Sequence, residues 1–417
     1  MTDYLVIACI VIVVAPYINA VLPSHVSTSG RLDRNSLIVR YFHLGFDYGE
    51  ILGFLLLCHG VQISLRQLKR VLRSNGLFRR RSYSSPNELM RAVERELQGS
   101  GGLIGYRQMH QRLRCYYGLS VNRESVRIIL KTLDPDGVAH RSRRRLRRRE
   151  YRSKGPNFIW HIDGYDKLKS FGFCIHGAID GYSRRILWLK VGKTNNNPRV
   201  IASYFLECVK ELGGVPRVIR GDQGTENVNV AAVQRFFRCD AQDSFAGQKS
   251  FLYGRSVSNQ RIEAWWGFLR NSETDWWINF FKKLREQGLF TDSDPIQVEC
   301  LWFCFMPLIE DELCRVVQEW NLHKIRPSSN ESSPPGRPDT LYFLPELTGT
   351  NSFLSHVSDM DIEIALDTCC ETPNTIVADT FSELAEIIME DESLHVPNSP
   401  QDALELYFEL LHCIDNI

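Results

Sequence analysis

The chain has 417 residues, 43% hydrophobic and 24% charged, with a net charge of +1 and 12 cysteines. That length supports two or three domains with real cores. The scattered cysteines contain no C-x-x-C pair and no zinc-spaced Cys/His set, which excludes a zinc module and suits a reducing compartment. The near-neutral total hides a polarised chain. Residues 31–158 hold 27 Lys and Arg against 10 Asp and Glu, whereas residues 338–417 hold 17 acids and no Lys or Arg. The basic half predicts a polyanionic partner. The acidic tail is left to shield the basic half, bind a partner or keep the chain soluble.

In chain order, residues 1–30 form an apolar N-terminal segment. Its stretch from Tyr4 to Leu22, broken by Pro16 and Asn19, reads as a signal-like segment, a marginal membrane anchor, a misassigned start or a buried helix. Asp3 and the lack of Lys or Arg before it argue against a signal peptide, and a membrane partner is not expected. Residues 31–82 read as a helix-turn-helix unit. Asp47 caps a helix over Tyr48 to Leu57, His59-Gly60-Val61 turns the chain, and Ser64 caps a second helix running to Ser74. Leu65, Leu68, Val71 and Leu72 form its inward stripe. Arg66, Lys69, Arg70 and Arg73 face out, where they can enter a major groove. Residues 86–140 give a second helical DNA-binding module: Pro86 to Leu97, a helix opening at Gly105, and Asn122 to Leu133 with Arg123, Arg127 and Lys131 outward. Residues 141–155 are a linker with seven arginines in the nine residues from Arg141 to Arg149. Arg143, Arg144, Arg145, Arg147, Arg148 and Arg149 read as phosphate ligands, a nuclear import signal, or both.

Residues 156–326 carry an α/β pattern with three carboxylates at its element edges. A strand over 157–166 holds Asp163 within Trp160-His161-Ile162-Asp163-Gly164. Apolar strands over Phe171 to Ile179 and Arg184 to Val191 follow, then a helix from Pro198 to Leu212. A short strand, Arg217 to Arg220, delivers Asp222. Asn227 to Arg238 is helical, a fifth strand is expected near Asp243 to Phe245, and Ser256 to Asn271 is a helix bearing Glu263. Asn259, Glu263, Trp266, Gly267 and Arg270 share one face of it, so Asn259 is expected beside the metals and Arg270 on a DNA phosphate. Between Asp163 and Asp222 lie 58 residues, and between Asp222 and Glu263 lie 40. Acids converging without a basic partner repel, and paired divalent ions relieve that repulsion. Asp166 is expected on the opposite strand face, Asp180 in a turn and Glu226 as a cap of the following helix. His161 is expected as a satisfied histidine beside the site. Leu308 to Leu322 is a further helix, residues 327–347 a Pro/Ser-rich linker with a closing segment, and 348–417 the acidic tail, helical over Phe381 to Met389 and Gln401 to Ile414.

Three segments in order resemble the DDE transposase and retroviral-type integrase superfamily: Gly177-Ala178-Ile179-Asp180-Gly181-Tyr182-Ser183-Arg184-Arg185-Ile186, Gly221-Asp222-Gln223-Gly224-Thr225-Glu226-Asn227, and Gly254 through Trp266. The chain is most similar to eukaryotic transposon-derived integrase-core proteins, over roughly residues 32–347. The resemblance implies a ribonuclease H-like core of five mixed strands with helices on both faces, preceded by all-α DNA-binding modules. It implies two Mg2+ or Mn2+ ions on Asp163, Asp222 and Glu263, cleavage and strand transfer of duplex DNA, a homo-oligomer, and no small-molecule cofactor. A nuclear location is expected. The alternatives are a domesticated DNA-binding protein without catalysis and a ribonuclease H-type nuclease. The chain departs from retroviral integrases in lacking their N-terminal His/Cys zinc domain.

Overall fold

The computed structural model describes residues 33–78, 83–141, 151–254, 259–327, 334–370 and 380–415. The Tyr4–Leu22 stretch and the Arg143–Arg149 run lie outside them. Among the described residues no helix is long and apolar enough to cross a membrane.

The N-terminal unit has three helices, α1 (Arg34–His43), α2 (Tyr48–His59) and α3 (Leu65–Ser74). Asp47 and Glu50 form a reciprocal capping box at the start of α2, as do Ser64 and Gln67 at α3, and Gly60 ends α2 in the left-handed conformation. Leu68 and Leu72 are buried against α1 and α2, as the expected stripe requires. Leu65 is not: at the first position of α3 it is 44% exposed, because the stripe begins one turn later. The second module contains α4 (Pro86–Leu97), α5 (Tyr106–Cys115), α6 (Arg123–Leu133) and α7 (Pro135–Arg141) around its own core of Val93, Met109, Leu113, Val126 and Leu130.

The core sheet runs β1 (Ile159–Tyr165), β2 (Cys174–Asp180), β3 (Ile186–Gly192), β5 (Val218–Gly221) and β6 (Phe251–Tyr253), in the spatial order β3-β2-β1-β5-β6. β1 pairs antiparallel with β2 and parallel with β5, and β5 pairs parallel with β6. The fifth strand therefore lies at 251–253 rather than near Asp243 to Phe245. Asp243 instead accepts from Arg238 and from the Phe245 backbone N–H, which holds its segment in a turn. Apolar side chains leave both faces of β1 and β2. Trp160, Ile162 and Ala178 pack under α8 (Pro198–Leu212) and α9 (Val228–Phe237). Ile175 and Ile179 pack on the opposite side against α10 (Gln260–Leu269), α11 (Asp275–Glu286) and the 28-residue α12 (Pro295–Leu322). Between α10 and α11 the helix widens into a π turn, Arg270–Thr274, that turns Ser272, Glu273 and Thr274 inward. A short α13 (Pro338–Phe343) closes the core. A two-residue β4 (Gly214–Val215) pairs with β7 (Ser355–His356).

The acidic tail docks on the core, not on the basic arm. α14 (Asp359–Cys369) packs on α8 through Ile362 and Ala365, while α15 (Thr380–Asp391) and α16 (Pro400–Asp415) bury Ala385, Ile388, Leu406, Tyr407 and Leu410 against α12. The helical modules are tied to the core as well. Arg337 donates to Glu50 at 3.0 Å and to the Gly45 carbonyl at 2.9 Å. Arg112, 6% exposed, meets Glu96 of its own module at 2.9 Å, Glu319 of α12 at 2.7 Å, and Glu273 of the π turn.

One cation among three carboxylates leaves excess negative charge in a buried place. Burial accordingly raises the Glu273 and Glu319 carboxyls above their ordinary 4.5, against the opposing pull of Arg112. Above pH 4.5 the folded state keeps protons that the unfolded chain has released, so this cluster's contribution to stability falls as pH rises. Glu319→Gln should therefore gain stability relative to wild type as pH is raised from about 5 to about 8. Denaturant midpoints across that range check it; a constant difference would contradict the assignment.

Candidate active site

Asp163 stands on β1 opposite Gly177 of β2. Trp160 and Ile162 point into the core beneath α8, so strand alternation sends His161 and Asp163 to the face that carries α10. Asp163 accepts a hydrogen bond from Trp266 Nε1 of α10 at 2.9 Å. A Cβ on Gly177 would sit 2.9 Å from the Trp266 ring, so glycine there makes room for the indole that reaches Asp163. Tyr165, next on that face, packs at a tilt against Trp266 with ring centroids 5.2 Å apart.

Asp222 follows β5, the parallel neighbour of β1, and is therefore carried to the same end of the sheet. Its Oδ1 accepts from the Gly224 backbone N–H at 3.2 Å and from Asn227 Nδ2 at 2.9 Å. Asn227, 1% exposed, also donates to Glu226 at 3.0 Å. Glu263 lies on the exposed side of α10, one turn after Asn259.

Asn259 fixes α10 on the sheet. Its Nδ2 donates to the Ile162 carbonyl at 2.8 Å and its Oδ1 meets His161 Nδ1 at 2.6 Å. His161 Nε2 meets the Tyr151 hydroxyl at 2.6 Å, and Arg261 lies 4.0 Å over the Tyr151 ring while donating to the Gly181 carbonyl. Burial lowers the His161 imidazole to about 3, so it is neutral. Asn259 was expected at the metals and on DNA. At 1% exposure, with its amide spent on β1, it is a positioning residue instead.

The three carboxyls feel one another. Burial pushes Asp163 up to about 7; the Trp266 hydrogen bond pulls it down, and the charges of Glu263 and Asp222 raise it further. Glu263 is raised by burial and then by Asp222, with the Lys167 ammonium partly opposing. Glu226 is raised by burial, by Asp222 and by Asp166. Asp166 thus belongs to the acidic rim. β1 ends at Tyr165, so strand alternation no longer governs it, and Asn195 holds it at 2.7 Å. Asp180, as expected, is a turn acid, accepting from the backbone N–H groups of Asn157, Tyr182 and Ser183.

Carboxylate oxygens are the ligands that Mg2+ and Mn2+ prefer, and an acid raised by burial and then by neighbouring carboxylates is a site a divalent cation would relieve. The donor set therefore fits such ions in chemistry. The side chains are not closed around a shared point: among the described residues no three Asp, Glu, His or Cys groups are near enough to hold an ion as they stand.

Residues 150–345 match the family model described as integrase core domain. This segment, under half of the chain, is similar to the integrase core domains of the retroviral-type integrase and transposase superfamily. A search of curated proteins found no match to the chain.

Beyond the integrase core, Arg66, Lys69, Arg70 and Arg73 are exposed on α3, and Arg123 and Lys131 on α6. Arg127 is exposed and paired with Glu124 one turn away. Arg270 is exposed too, but Asp275 holds its Nε at 2.8 Å. In the integrase core the sequence reading missed Trp266 as a partner of Asp163, Asn227 as the clamp of Asp222, and Asn195 behind Asp166. Asn227 was legible in principle, since an Asn five residues after an acid in a glycine-bearing loop is a common side-chain tether. The other two contacts join distant segments and have no local signal.

Two outcomes follow. Trp266→Phe removes the donor that lowers Asp163, so the Asp163 carboxyl should titrate above about 7 in the metal-free protein, read by carbon-detected NMR. Asn259→Ala strands the Ile162 carbonyl and His161 Nδ1 in the interior. It should lower stability by about 1–3 kcal/mol in chemical denaturation.

Proposed function

We propose that this protein is a DNA-recombining enzyme that cleaves phosphodiesters and transfers DNA strands. The observation that carries this reading is the approach, in a segment similar to an integrase core, of Asp163, Asp222 and Glu263 from three separate elements, with Asp163 raised by burial and further by the other two. When bound, a pair of Mg2+ or Mn2+ ions on these three carboxylates would lower the pKa of the attacking water or 3′-hydroxyl and offset charge on the phosphoryl oxygens. The acids act as ligands, not as covalent nucleophiles. Trp266 orients Asp163, Asn227 orients Asp222, and Asn259 sets the distance from the Glu263 helix to β1.

Duplex DNA is the proposed partner. The exposed cations of α3 and α6 supply the surface for it, and the Arg-rich run at 141–149 supplies further phosphate ligands. Joining two ends requires more than one active site, so a homo-oligomer is part of the proposal. The arginine run also fits a nuclear import signal. The second reading, a DNA-binding protein that kept this fold without turnover, is favoured by the open arrangement of the carboxylates.

Strand transfer with Mg2+ separates the two. Outer partners of metal ligands already contribute 10–100-fold, so Asp163→Asn and Glu263→Gln should each lower the rate by at least about 100-fold while duplex binding persists. Equal rates in wild type and both variants would remove the enzyme reading.

A further inference from the structure

Three parts of the chain far apart in sequence converge on one basic cleft. Gly45, just after α1, forms one wall. Arg107 and Arg114 project from α5, Arg123 opens α6, and Lys324 and Arg337 come from the segments that close the core. The cleft has a volume of about 90 Å3, well above the ~10–15 Å3 that a single water requires. No Asp or Glu lines it.

Two of the cations are anchored. Arg337 donates to Glu50, to the Leu322 carbonyl and to the Gly45 carbonyl, and this fixes its guanidinium as a wall. Lys324 lies 3.7 Å from Asp47 across an exposed pair, which water screens strongly. Arg114 lies over Gly45, where a Cβ would stand 3.6 Å from its terminal nitrogens, an ordinary contact. Gly45 has φ 85°, so the backbone favours glycine at this wall. His110, also at the cleft, meets the Val121 carbonyl and is lowered to about 4, first by burial and then by the fields of Arg114 and Arg123. It therefore adds no charge of its own to the cleft.

Cations held together in a partly enclosed cleft repel one another, and a bound anion relieves the repulsion. Guanidinium groups present paired N–H donors in the geometry of a phosphate edge. We propose that this cleft, built from Arg107, Arg114, Arg123, Lys324 and Arg337, is a phosphate-binding site at the junction of both helical modules and the core. The phosphate is either one on a DNA backbone or that of a free phosphorylated compound. Only the first source rests on the DNA-recombination reading.

The experiment uses the full chain and the exposed pair Arg107→Ala with Arg123→Ala; Arg107→Lys with Arg123→Lys keeps charge without the fork. Duplex affinity is measured against salt, and thermal protection by inorganic pyrophosphate is measured at constant ionic strength. A backbone phosphate predicts that the alanine pair reduces the slope of log affinity against log salt by about 2, roughly one per lost contact, with the lysine pair closer to wild type. A free phosphorylated ligand predicts an unchanged slope, with pyrophosphate raising the melting temperature of wild type and not of the alanine pair. An unchanged slope together with no pyrophosphate protection of wild type overturns the site. Should the alanine pair not fold, the lysine pair and the wild-type protection carry the same decision. Failure of strand transfer in wild type would sink the recombination reading and leave the pyrophosphate result standing.

Discussion

One carboxamide determines whether this core has a site at all. The sheet carries Asp163 and Asp222 on neighbouring parallel strands, so their proximity follows from the fold. Glu263 arrives on a helix that could rest on the sheet at many offsets. Asn259 removes that freedom by bonding at once to the Ile162 carbonyl and to His161, the two residues that precede Asp163. A buried amide with both ends engaged tolerates little sliding, because a shift strands polar groups in a dry interior. Trp266, two turns beyond Asn259, then locates its N–H on Asp163 rather than on water.

The same helix is held at its far end by a different kind of contact. Through the π turn, Glu273 reaches Arg112 of the second helical module. The rod bearing Glu263 is thus secured to β1 by neutral hydrogen bonds and to the module by a buried ion cluster. Such clusters add little net stability over an apolar equivalent but enforce one arrangement, since a misplaced partner leaves a bare charge. Meanwhile the acidic tail spends its apolar face on α8 and α12. That leaves the basic surfaces of α3 and α6 for another polyanion.

Much of this architecture was legible because it is local. Caps at Asp47 and Ser64 and the proline at Pro198 mark helix starts that the structure reproduces, and apolar runs mark β1, β2 and β3. The acid trio was singled out through ordered motifs. What failed was of another kind. The fifth strand is three residues long and stands at the sheet edge, too short to show a period. Helix α11, with four Trp or Phe residues in its first seven, is apolar on too many sides to reveal its packing face. Asn259 was misassigned because helical spacing gives the face a residue occupies, not whether that face meets solvent or strand. Asp166 was misassigned because a strand's end cannot be read to the residue.

The Arg112 cluster bears on how the protein can be dissected. The matched segment begins at residue 150, and Arg112 lies upstream of it. A fragment cut at that boundary would retain Glu273 and Glu319 with no guanidinium between them, and would bare the apolar faces of Leu322 and Leu344 that the first module covers. Such a piece would be prone to precipitate near neutral pH, so a fragment meant to isolate the core needs to keep the chain from about residue 33 onward.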